Sequence, residues 1–189
     1  LLGTSRANAA PEAAAPNLAA VPPAGFTPFA APGRVIRVEK PDSLQANQLY
    51  PKPEATLPML EKALCELTGE SDLVKAVGRF VHKDDKVCVK VNGIARENMG
   101  TNKELVLPFL EAMIKAGVPA TSITVLEQYR NFLQGTRINE RNVPAGVKVA
   151  VHLNEDATMP ERKIEGTGVR TKFVRVLTES TAVINFSLV

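Results

Sequence analysis

Two hydrophobic periods divide this chain. The clearest period-two run is Lys86-Val-Cys-Val-Lys-Val91, which puts Val87, Val89 and Val91 on one face of a strand and Cys88, Lys90 and Asn92 on the other. Ser122-Ile-Thr-Val-Leu126, Val147 to Leu153 and Thr181 to Phe186 are apolar, β-branched runs of strand length, and Arg34 to Val38 is a shorter one. A further strand is possible at Phe173 to Val176, while the charged, glycine-bearing stretch Asn154 to Arg170 reads as a loop.

Between these runs the spacing lengthens to three and four. Glu54 to Leu67 is amphipathic and Gly69 supplies its left-handed stop; a second helix, capped by Ser71, carries Leu73, Val74, Val77 and Phe80 on one side. Thr101-Asn-Lys-Glu104 has the form of a capping box and opens a helix whose apolar side is Leu105, Val106, Phe109, Leu110, Met113 and Ile114, ending at Gly117. Pro108 lies about one turn in, where a missing amide is tolerated. Strands separated by helices predict an α/β fold, Rossmann-like, with a mostly parallel sheet, right-handed crossovers and helices on both faces.

Composition narrows the partners. A net charge of +3 spread among acids over 189 residues, with no Trp, gives neither a basic face nor stacking platforms, so nucleic acid is disfavoured. Cys65 and Cys88 make no CxxC element, and both fall where small apolar side chains are buried; a disulfide between them stays open. His82 and His152 share no ligand spacing, so no metal site is expected from this segment, and no glycine-rich phosphate or nucleophile-elbow pattern occurs.

The ends carry a different message. Residues 1–9 close on Ala7-Asn8-Ala9, which reads as the tail of an export signal and predicts a periplasmic or secreted protein. Residues 10–33 are Ala- and Pro-rich and read as a disordered linker, leaving 34–189 as the α/β domain. No run approaches the ~20 apolar residues of a membrane span. The apolar run to Val189 stops without a turn or cap, so the domain is expected to continue past it.

In a parallel sheet the ligand crevice lies beyond the carboxyl ends of the strands. Polar residues placed there are Lys90, Asn92 and Gly93 after one strand, Glu127, Tyr129 and Arg130 after the next, Asn154 to Asp156 after another, and Asn185 and Ser187 after the last. The mixture suits a small polar or anionic ligand, or a metal with oxygen ligands. Lys90 stands out because an ammonium on a buried strand needs a partner or a ligand, whereas Asn92-Gly93 read alone is a turn pair. The expected roles are Glu127 and Lys90 as catalytic groups, with Asn92, Gly93, Thr101, Arg130 and Asn185 binding; the cofactor is unknown.

Lys90-Val91-Asn92, the helix opening Thr101 to Val106, the stop Ala116-Gly117 and the terminal Val183-Ile184-Asn185 resemble the bacterial and archaeal family known as domain of unknown function 362, from about Asp84 onward. There the last motif usually runs through a Pro to a Lys-x-His element; Ser187 stands at the Pro position here. The resemblance implies an α/β fold and, for some members, iron-sulfur association, with no established activity. The strand-helix-strand segment is also similar in topology to the amino-terminal domain of lactate racemase-like enzymes. The functions expected are an exported enzyme on a small polar or anionic substrate, or alternatively a non-catalytic binding or assembly module or an iron-sulfur-linked redox protein.

Overall fold

The computed structural model describes residues 20–152 and 158–187. Helices α1 (Pro53–Thr68) and α2 (Leu73–Gly78) precede strand β1 (Val87–Val91), which is followed by α3 (Arg96–Met99) and α4 (Lys103–Lys115). Then come β2 (Ile123–Glu127), α5 (Arg130–Gly135), β3 (Lys148–Val151), β4 (Arg162–Lys163), β5 (Arg170–Thr171), α6 (Arg175–Glu179) and β6 (Ala182–Phe186). Among the described residues no helix is long and apolar enough to cross a membrane.

Strands β1, β2, β3 and β6 form one all-parallel sheet in the order β3-β2-β1-β6, the α/β architecture the hydrophobic pattern predicts. The chain steps outward from β1 to β2 to β3, then returns to lay β6 on the other side of β1. Crossovers therefore diverge between β1 and β6, the topological switch point where such sheets open a crevice. In the register Lys90 stands opposite Asn185 on one side and Leu126 on the other.

Period two decides which residues the core takes. Val87, Val89, Val91, Ile123 and Val125 face α1, α2 and α4 and meet Leu60, Val77, Val106, Leu110 and Met113. Each such side chain stabilises the fold by about 1.5–3 kcal/mol when fully buried. Phe109 and Phe186 close this core near the carboxyl rim, edge to face at 5.1 Å. On the opposite face Cys88 and Leu126 are buried, but Val183 is 44% exposed and Asn185 is exposed, because β6 lies at the sheet edge.

Several local expectations are corrected. Arg34 to Val38 is no strand: Val35 is 86% exposed, and Arg34 reaches the Glu66 carbonyl instead of a ladder partner. Alternation alone does not make a strand without a ladder partner. Phe173 to Val176 likewise yields only the bridge of Val174 to Thr158 before α6 begins. The expected loop holds a short antiparallel hairpin, β4 with β5, over the part that is described. The cap of α2 is Asp72, whose carboxylate accepts from the Lys75 amide at 2.9 Å, rather than Ser71.

Residues 1–19, with the export-signal tail and the first part of the expected linker, and Leu153 to Ala157 lie outside the described residues. Residues 20–33 contain neither helix nor strand. They are nonetheless attached to the body. The Phe29 amide donates to the Arg79 carbonyl at 2.8 Å, its ring meets Phe80 at 5.6 Å, and Phe26 packs on His82.

Candidate functional site at the carboxyl rim

Two polar ties hold the strands in phase, one at each end. At the amino end Asp85, 2% exposed, accepts from the His82 amide at 2.6 Å and from the Thr181 hydroxyl, while the Lys86 amide donates to that hydroxyl at 2.9 Å. At the carboxyl end Thr101 does the same work between β1, β6 and α4. Its hydroxyl donates to the Phe186 carbonyl at 2.8 Å and accepts from the Asn92 amide at 2.9 Å, and its own amide donates to the Asn92 carbonyl at 2.7 Å.

That use of Thr101 removes the capping box. The helix cap is Asn102, which makes no side-chain capping bond, and Glu104 turns to Arg137 instead of back to the cap. Both Arg137 nitrogens bond Glu104, at 2.7 and 2.6 Å, and Nη2 also donates to Asn102 Oδ1 at 3.1 Å. The Tyr50 ring lies 3.5 Å from the guanidinium carbon. Burial pushes the Glu104 carboxyl up, but the Arg137 bonds, its own backbone amide and the guanidinium charge outweigh this and hold it below its ordinary pKa.

At the tip of β1 a second ion pair is built differently. Glu127 ends β2 with its side chain 3% exposed and accepts from Lys90 Nζ at 3.1 Å and from its neighbour's amide, Gln128, at 2.6 Å through Oε1. Oε2 accepts from the Gly93 amide at 2.7 Å. Lys90 also donates to the Val91 carbonyl, so two of its three protons are committed. Its side chain remains 28% exposed. The partner demanded by an ammonium on a buried strand is therefore Glu127.

Gly93 is required for space, a different reason from the positive φ of a turn. A Cβ there would stand 1.8 Å from the Phe132 carbonyl oxygen, and one on Gly135 would stand 2.5 Å from Arg96 Cα. This contact seats the loop after β1 on α5. Asn92 is exposed and folds its Oδ1 over the Ile94 amide at 3.2 Å.

The parallel register brings Lys90 and Asn185 side by side on the face away from α4, with Asn92 following Lys90 at the same tip. Glu127 joins them through its carboxylate; Asn92, Glu127 and Asn185 thus meet along one rim. Arg130 opens α5, exposed, beyond the β2 tip. An open polar cleft of about 610 Å³ lies between α3 and α5 there, lined by Arg96, Asn98, Asn131 and Gln134 among others. A smaller cavity of about 160 Å³ lies across the sheet, beside Thr101 and Phe186. Of the polar residues named from sequence, Thr101 and Ser187 line the smaller cavity and none lines the larger. Sequence reading missed Arg137 and Asp85, whose partners lie 33 and 96 residues away.

Cys65 and Cys88 are free thiols. Burial pushes Cys88 up to about 11 despite the opposing charge of Lys90, so it is unsuited to nucleophilic work. Among the described residues no group of three or more His, Cys, Asp or Glu could hold a metal. No known family, curated protein or solved structure matches the chain.

Proposed function

We propose that this is an exported protein that binds a small polar or anionic ligand at the tips of β1 and β6, in line with its resemblance to the domain of unknown function 362 family. One observation carries the reading. Lys90 presents a partly exposed ammonium with one uncommitted proton at the switch point, next to Asn185 in register. Lys90 supplies charge; Asn185 and Asn92 supply amide donors and acceptors for orientation.

Glu127 enters as the group that aims Lys90. Its side chain is 3% exposed and both oxygens already accept hydrogen bonds, three in all, so little of the carboxylate is open to a substrate proton. This favours the non-catalytic form of the reading, capture of a solute, over turnover.

The test is calorimetry and thermal-shift titration of the full chain with phosphate, sulfate, citrate and lactate. Binding of at least one, weakened roughly tenfold in Asn185→Ala with the melting temperature unchanged, is expected for loss of one hydrogen bond to a charged ligand. Lys90→Met should abolish it while costing about 1–3 kcal/mol of stability, since Glu127 keeps two amides. Silence across all four anions, or undiminished binding in folded Lys90→Met, defeats the proposal.

A further inference from the structure

The cavity beside Thr101 lies on the other face of the sheet from Lys90 and is lined by four separate pieces of chain. Met59 of α1, Leu105 of α4 and Phe186 of β6 give it an apolar floor. Ser43 and Pro51 close it from a loop that is itself braced by the Leu44 to Pro51 bridge and by the Lys52 amide on the Ser43 carbonyl at 2.8 Å.

Its polar lining keeps uncommitted donors. The hydroxyls of Thr56 and Thr101 donate to the Lys52 and Phe186 carbonyls, and Asn102 Oδ1 is spent on Arg137. Asn102 Nδ2 and the Ser43 hydroxyl bond no protein group among the described residues. Both are half-buried. Both stay within reach of water, so a guest carrying an acceptor can take them over by displacing it. Glu104, the nearby acid of α4, is already neutralised by Arg137, so the amino end of that 13-residue helix remains electropositive.

We propose that this cavity is a second binding site, for a small monocarboxylate with a benzene-sized apolar body. The volume of about 160 Å³ suits that size, since apolar cavities of about 150 Å³ hold such a guest. The carboxylate accepts from Asn102 Nδ2 and Ser43 Oγ while the body lies on Met59, Leu105 and Phe186. Arg137 governs the enclosure because it grips both Asn102 and the Tyr50 ring, which precedes Pro51 in the covering loop.

The probe is benzoate, with benzyl alcohol as its uncharged counterpart, followed by saturation-transfer NMR and calorimetry on the full chain. Benzoate should bind, and Asn102→Asp, which keeps the acceptor for Arg137 but loses the donor and adds a negative charge, should weaken it by roughly tenfold or more. Benzyl alcohol should be nearly indifferent to that change. Leu105→Trp should exclude both by filling the space, and if it fails to fold, Met59→Trp at the half-buried wall replaces it. Asn185→Ala should leave benzoate binding intact, because it alters only the opposite face. No benzoate binding up to about 10 mM, or binding that survives a folded Trp variant unchanged, overturns the proposal.

Discussion

The two ion pairs at the carboxyl rim resemble each other in burial and differ in closure. Each has a deeply buried carboxylate, Glu127 at 3% and Glu104 at 6% side-chain exposure, and a cation that reaches it from a more exposed position. Arg137 gives Glu104 two bonds, a third to Asn102, and a stacked aromatic face, so the guanidinium is consumed within the protein. Lys90 gives Glu127 a single bond, and backbone amides supply the rest. A planar fork closes on its partner, whereas an ammonium shared with amides keeps a donor in hand. The first pair is a strut between α4 and the segment after α5; the second has the form of a binding group.

The sharpest way to break that contrast is Arg137→Leu. It strands Glu104 in a buried site with only its own amide for support and frees Tyr50, so about 3–5 kcal/mol of stability should be lost in urea titration. Lys90→Met, leaving two amides on Glu127, should cost less. If Lys90→Met is the more damaging of the two, then Lys90 is a strut as well and the distinction fails. Arg137→Lys should recover only part of the loss, since an ammonium cannot bond both oxygens in the plane.

Gly93→Ala comes next. The added methyl meets the Phe132 carbonyl, so the loop after β1 must lift from α5 and take the Gly93 amide away from Glu127. A cost of about 1–3 kcal/mol is expected, together with weaker anion binding than in Asn185→Ala if Glu127 does aim Lys90. Full anion affinity in a folded Gly93→Ala protein would show that Lys90 needs no such aiming.

Legibility in the sequence followed the range of the interactions. Period two and period three-to-four report burial against a neighbour, so β1, α4, β2 and β6 could be read directly, as could the rim that a parallel sheet creates. Asn92, Glu127 and Asn185 were placed together by topology alone. What failed was pairing. Thr101 and Glu104 have ideal capping-box spacing, but Phe186 and Arg137, distant in sequence, compete for them and prevail. Arg34 to Val38 alternates correctly and still finds no ladder. The partner of Lys90 lies 37 residues away, and nothing near Lys90 in sequence distinguishes a paired lysine from a free one.

The smallest effect is the pH dependence of the Glu104 pair. Because the folded Glu104 carboxyl is held below its ordinary pKa, its pairing contributes in full above the unfolded value of about 4.3. That contribution is lost as pH falls through the lower folded value. The direction follows from proton counting: in this window the unfolded chain binds the proton that the folded chain refuses, so stability declines with acidification. Urea midpoints from pH 6 down to about pH 3 should therefore fall for the wild type. Glu104→Gln should start lower at pH 6 and fall less steeply, so the two curves converge at the acid end. Parallel curves would mean that Arg137 does not favour the charged form of Glu104, and the strut would owe its strength to packing of Tyr50 and the guanidinium stem instead.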